Sequence, residues 1–169
     1  SATMDEQWNL VEEIKKLSVG ERAALRREAG GKLCDASGRA LAAFYRLIPP
    51  GLSSRKQECW FCVLTLACLW NVEEARESGS MPKLLRQLAM RQATGGMDAR
   101  IRSLLDTRWE EDGYLSAKLC RLARMLRSDN RQVMPDVDSL LRDVLYWNND
   151  RRTVQLRWAQ RYFQTTEEE

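Results

Sequence analysis

The stretch Tyr114–Ser128, YLSAKLCRLARMLRS, constrains the fold more than any other part of the chain. Its leucines stand at Leu115, Leu119, Leu122 and Leu126, spaced four, three and four. That spacing puts one apolar stripe on an α-helix and rules out a strand, whose faces alternate every second residue. Lys118, Arg121, Arg124 and Arg127 take the remaining faces, and no acid lies between Asp112 and Asp129 to neutralise them. Like charges three apart on a helix repel by roughly 0.2–0.5 kcal/mol per pair. Such a run is either a solvated charged face or a surface that meets an anion, and a nucleic-acid backbone is the anion it suits.

The rest of the chain repeats the helical periodicity. Leu10, Ile14 and Leu17 mark a helix over 6–17. Ser18 and Glu21 form a capping box that opens a second helix over 19–29, which ends at Gly30-Gly31. Leu41, Phe44, Leu47 and Ile48 place a third helix over 36–48, stopped by Pro49-Pro50-Gly51. A fourth, over 54–70, is apolar on nearly all sides from Cys59 onward and is expected at the centre of the N-terminal half.

The polar stretch Asn71–Ser80 reads as a linker. Beyond it, Ser80 and Pro82 open a helix running to Ala93. Asp98 begins another, with Ile101, Leu104 and Leu105 facing inward. The basic helix follows. Pro135-Asp136 then starts a helix striped by Val137, Leu140, Leu141, Val144 and Leu145, and the last runs through Val154, Trp158 and Tyr162. No strand pattern or repeat is visible. The expectation is an all-α fold of about eight short helices in two packed subdomains. These are an N-terminal one over 4–75 and a basic C-terminal one over 81–163, joined by the linker 71–80 and followed by an acidic tail over 164–169.

Composition narrows the function. A chain of 169 residues can bury roughly 70% of its unfolded surface and needs no disulfide or metal to fold. The five cysteines fall mostly in helical patterns, which reads as reduced, cytoplasmic usage. Cys59-x-x-Cys62 lies in an apolar run with no second pair, so a packed thiol is expected there rather than a metal ligand. Histidine is absent altogether, which removes the commonest general base and the commonest metal ligand together. Catalysis and cofactors are therefore not expected. No membrane span or signal peptide is visible, and Ser1–Thr3 read as residues left by expression ahead of Met4.

The net charge of +3 hides an asymmetry. Residues 1–80 balance eleven basic against eleven acidic side chains, whereas 81–163 carry sixteen against ten. Arginine supplies 21 of the 27 cations, and its planar fork grips phosphate bidentately. The candidate anion-binding residues are Arg26, Arg27, Arg100, Arg102, Arg108, Lys118, Arg121, Arg124, Arg151 and Arg152. Arg151 and Arg152 are read into the first turn of the last helix, where a phosphate would satisfy both the guanidinium groups and free backbone N–H groups. Trp109, Tyr114, Tyr146, Trp147, Trp158 and Phe163 are potential stacking platforms. Trp147 and Trp158 suit a core better, and Tyr114 is the least committed to one. Asp136 and Asp138 are explained as first-turn acids, and Asp143 is placed on a polar face beside Arg142.

Several segments, in this order and spacing, resemble the CasB family, the small subunit of the type I-E CRISPR surveillance complex Cascade. They are Phe44–Pro49 (FYRLIP), Ile101–Arg108 (IRSLLDTR), Leu119–Leu126 (LCRLARML), Asp138–Asn148 (DSLLRDVLYWN) and Val154–Phe163 (VQLRWAQRYF), with Arg26-Arg27 as a matching basic pair. The likeness extends from about Trp8 to Phe163. The cysteine-rich helix and the acidic tail are not part of it. The resemblance implies a non-catalytic, all-helical protein of two subdomains, two copies of which associate head to tail. It implies contacts with the backbone and large subunits of Cascade and with crRNA-guided target DNA, whose R-loop the protein helps to hold open. Guide pairing supplies the sequence information, so such arginines need only grip backbone. Two other readings remain: an adaptor contacting only protein, and a free-standing helical DNA-binding regulator. The basic helix lacks the Asn and Gln side chains that commonly read adenine, which weighs against the regulator.

Overall fold

The computed structural model describes residues 9–92 and 95–164. The expected start of the first helix, the end of the fifth and, of the acidic tail expected over 164–169, all but its first residue lie outside the described residues. Among the described residues nine α-helices follow one another: α1 (Leu10–Lys15), α2 (Val19–Arg27), α3 (Gly38–Leu47), α4 (Ser54–Ala67), α5 (Met81–Arg91), α6 (Gly96–Leu105), α7 (Tyr114–Asp129), α8 (Val137–Leu145) and α9 (Thr153–Phe163). A short 3-10 turn over Leu33–Asp35 leads into α3. The all-α expectation holds.

Five of the helix starts among the described residues are set by side chains that satisfy first-turn amides. Asn9, Ser18, Ser37, Ser53 and Asp136 each accept a backbone N–H at the head of α1, α2, α3, α4 and α8. At Ser18 the box is reciprocal, because Glu21 accepts the Ser18 backbone N–H at 2.9 Å. Those bonds, the one from the Ser18 backbone first, hold the Glu21 carboxyl below its ordinary pKa, and the charge of Arg46 adds to them.

α4 is buried on every face from Cys59 to Ala67 and packs against α2, α7 and α8. Its one buried hydroxyl, Thr65, is satisfied within the helix by donating to the Phe61 carbonyl at 2.7 Å. Edge-on ring pairs fill the core on both sides: Phe44 with Phe61 at 5.2 Å and Trp147 with Trp158 at 5.4 Å. α5 lies along α9, and α2 along α3. The buried side chains of both halves belong to one continuous cluster.

Two features depart from the sequence reading. Within 71–80, Glu77–Gly79 forms a strand, β1, that pairs in parallel with β2 (Val133–Pro135) ahead of α8. The Asp136 amide donates to the Gly79 carbonyl at 2.8 Å, and that of Arg76 to Gln132 at 2.8 Å. Three residues are too few to show alternation, and a strand ending in proline carries no strand signal. The second departure is Asp143, which is 7% exposed rather than on a polar face. It stands three residues from Leu140, at the margin of the α8 stripe, and Arg157 and Trp158 of α9 close over it. Among the described residues no helix is long and apolar enough to cross a membrane.

Candidate nucleic-acid interface

α7 presents its cations exposed or half-exposed around a buried stripe of Leu115, Leu119, Leu122 and Leu126. What the sequence could not supply is the element that stands beside them. α2 ends in Arg26 and Arg27 and turns at Gly30, whose φ is +85°. A Cβ at Gly30 would lie 3.3 Å from both Cβ and Sγ of Cys120 on α7, so glycine lets the two elements approach this closely without either giving way. Arg26 consequently shares a shallow cavity of about 380 Å³ with Arg124 and Arg127, along with Leu69 and Ser128. An adjoining cavity of about 580 Å³ is lined by Arg121 and again by Arg124 and Ser128. Arg124 is steadied by its Nε, which donates to Cys120 Sγ at 3.4 Å, a bond that leaves its two terminal nitrogens uncommitted to that sulfur. The acid at this rim, Asp129, is already engaged by Arg91 at 2.5 Å.

A second group forms where the end of α6 meets the start of α9. Arg102, Leu105, Asp106, Arg152, Gln155, Leu156 and Ala159 surround a cavity of about 260 Å³. Arg151 and Arg152 are not in the first helical turn, as the sequence suggested. Arg152 is the residue before α9, in the left-handed conformation with φ +54° and ψ +38°, and Arg151 precedes it. The reason is the turn itself: Asn149 Oδ1 accepts the Arg151 amide at 2.9 Å and the Asn149 carbonyl accepts that of Arg152. The Arg152 guanidinium then donates to the Leu105 carbonyl at 2.6 Å, at the C-terminus of α6.

The remaining candidates stand apart from these two groups. Lys118 donates to Thr107 Oγ1 at 2.6 Å, and Arg27, Arg100, Arg108 and Arg151 are exposed or half-exposed without lining either cavity group. Arg100 and Arg102, two apart on α6, do not share a helix face. Among the described residues none of the ten candidates forms an ion pair. The pairs that do form use Lys15, Lys16, Arg22, Arg46, Arg91 and Arg157. A cation with no carboxylate of its own is available to an outside anion.

Arg127 belongs to the first group although the sequence singled it out only as part of the helix. Its place three residues beyond Arg124 is the signal that could have found it. Of the aromatic candidates, Trp147 and Trp158 are core, while Tyr114 is 64% exposed at the head of α7. A larger cleft of about 850 Å³ lies between Gly31–Cys34, the start of α4 and the segment 109–116. It mixes Lys32 and Arg55 with Glu58, Glu110 and Glu111, so it has no single sign to offer a phosphate chain. Cys59, Cys62 and Cys68 are buried, and burial pushes each thiol up to about 12. They are packed rather than reactive.

A family model described as CRISPR-associated protein Cse2 matches residues 21–163. Solved structures share the fold. A Cse2-family protein from Thermus thermophilus aligns with a TM-score of 0.75 at 22% identity, over 92% of this chain and 96% of its own. CasB from M. ruber aligns with a TM-score of 0.72 at 19% identity, over 96% and 94%. A chain of a CRISPR RNA-guided surveillance complex aligns with a TM-score of 0.69 at 23% identity, over 92% and 87%. No curated protein matches the sequence.

Proposed function

The chain belongs to the CRISPR-associated Cse2 family, and from that premise we propose that it is the non-catalytic small subunit of a Cascade-type surveillance complex, stabilising the R-loop through sequence-independent contacts to DNA backbone. The observation that carries this reading is the meeting of Arg26 with Arg124 and Arg127 across α2 and α7, with Arg121 alongside and, among the described residues, no carboxylate paired to any of the four.

The mechanism is electrostatic. Separated strands are held by guanidinium groups that replace condensed counterions. Exchanging a DNA duplex for a guide–target duplex is nearly balanced in free energy, so a few backbone contacts decide how long the opened state lasts. The protein partners are the backbone and large subunits of the complex and a second copy of this chain, and the nucleic-acid partner is crRNA-guided target DNA.

The test is R-loop lifetime in fully assembled complexes that carry Arg26→Glu, Arg124→Glu and Arg127→Glu together. A markedly shortened lifetime, with assembly intact, supports the reading. An unchanged lifetime would identify the protein as an adaptor that touches only its protein partners.

A further inference from the structure

The cleft of about 850 Å³ between the turn after α2, the start of α4 and the segment 109–116 shares no lining residue with either arginine group. Its walls are tied in place. Asn148 accepts the Trp109 amide at 2.8 Å and donates its side-chain N–H to the Trp109 carbonyl at 2.7 Å. Glu58 accepts the Leu33 amide at 3.2 Å, and Arg55 donates to the Leu145 carbonyl at 3.1 Å. Gly113 turns with φ +76°, and Lys32 packs over it so closely that a Cβ there would lie 3.3 Å away. A cleft held from several sides is formed before anything enters it, which lowers the ordering cost of binding.

Charge narrows the occupant. Lys32, Arg55, Glu58, Glu110 and Glu111 all line the cleft. Both signs are present, yet among the described residues none of the five forms an ion pair. Acids exceed bases three to two here, in a chain whose net charge is +3. Such a lining repels a phosphate chain and draws a cation. Leu33 and Trp109 are half-buried and give the cleft an apolar wall. A tryptophan face beside carboxylates suits a guanidinium, which stacks on the ring while its N–H fork reaches the acids. Tryptophan and arginine are also the residue types in which the binding energy of protein interfaces concentrates.

We propose that this cleft docks an arginine-bearing segment of a neighbouring protein subunit, the guanidinium lying against Trp109 and reaching Glu58, with Glu110 and Glu111 drawing it in. Lys32 and Arg55 donate to backbone carbonyls of the same segment. This rests on membership of a multi-subunit complex, as proposed above, and adds the surface that holds the chain in it. At about 850 Å³ the cleft lies within the roughly 300–1,000 Å³ of pockets that enclose a ligand, so it has room for a stretch of chain around the arginine. The division of labour is electrostatic: the α2–α7 arginines face DNA, and this cleft, where acids outnumber bases, faces protein.

Cys34 makes the test direct, because it lines the cleft and is exposed while the other four thiols are buried. Its labelling by a thiol reagent is timed in the full chain alone and after assembly with the remaining purified subunits of the surveillance complex. Assembly is expected to slow labelling about 10-fold or more. Glu58→Gln keeps an acceptor for the Leu33 amide and removes only the charge; it should weaken entry into the complex about 10-fold. The exposed pair Glu110→Lys and Glu111→Lys, which leaves the fold alone, should do the same. Unchanged labelling in a complex that contains the chain would overturn the docking site and leave the R-loop reading standing. Slowing that appears in the isolated chain as its concentration rises would overturn it in favour of a second copy. Slowed labelling with entry indifferent to both variants would mean that the cleft is covered without an arginine, and would overturn it too. Failure of the unaltered chain to enter the complex at all would overturn the proposed function along with the site.

Discussion

The indole N–H of Trp158 donates to Asp143 Oδ2 at 2.8 Å inside the protein, while Arg157 engages the other oxygen of the same carboxylate. Trp158 is 1% exposed, so water does not stand in for that acceptor. The contact ties α9 to α8, and through Trp147 and Gln155 it supports the cavity at the start of α9. Replacing Asp143 by alanine leaves a buried donor unmatched, at a cost of about 1–3 kcal/mol. Urea unfolding of Asp143→Ala should show that loss, and a change within a few tenths of a kcal/mol would mean the contact is dispensable.

The same carboxyl makes stability depend on pH. Burial raises the Asp143 pKa, outweighing the lowering effects of the Trp158 bond and of Arg157. The folded chain therefore keeps this proton to a higher pH than the unfolded chain, whose aspartates titrate near about 4. Between those two values the folded state binds more protons, so stability falls as pH rises. The urea midpoint of the unaltered protein, taken relative to that of Asp143→Asn, should decline as pH is raised from about 4 through the folded pKa. A rising difference would show that the Arg157 charge wins over burial.

Gly30 links fold to interface. Its φ of +85° strains any residue with a side chain, and an added Cβ would press on Cys120 at 3.3 Å. Gly30→Ala should destabilise the protein by about 1–2 kcal/mol from the backbone alone. It should also move Arg26 away from Arg124 and weaken DNA binding in the folded variant. A substitution that melts like the parent and binds like it would break the link between this close approach and the basic cavity.

The thiols divide sharply. Cys34 is exposed, while Cys59, Cys62, Cys68 and Cys120 are buried. A thiol-reactive chromogen should label one cysteine quickly in the native protein and all five in denaturant. Rapid labelling of two or more under native conditions would mean that α4 is not the sealed helix described.

The helices were legible because their stripes are long. Leu115 to Leu126 and Val137 to Leu145 repeat over several turns, and the Ser18–Glu21 box marks a start by chemistry alone. Three features were not legible. The β1–β2 pairing depends on backbone groups far apart in sequence and carries no side-chain pattern. The burial of Asp143 is set by which face of α9 covers α8, a tertiary choice that no local period encodes. The left-handed Arg152 sits where sequence preference would place glycine or asparagine. For the interface, sequence named Arg26 and Arg124 separately. Their meeting follows from Gly30 and Cys120, and neither residue advertises that role.

The basic group on α2 and α7 can be measured directly through salt. Each phosphate neutralised by an arginine releases condensed counterions, so the affinity falls with salt along a slope proportional to the number of such contacts. Arg124 is the arginine that lines both cavities of the group. Arg124→Ala should weaken binding of assembled complexes to every target by a similar factor and reduce the salt slope by about 0.7–0.9. Arg127→Ala should do the same, because it faces the same cavity, and so should Arg26→Ala from the other helix. Arg46→Ala serves as the control: Arg46 is paired to Glu21 and lines neither cavity, so its loss should leave the slope unaltered. A loss restricted to one target sequence, or a slope indifferent to Arg124, would show that these arginines do not meet a phosphate chain.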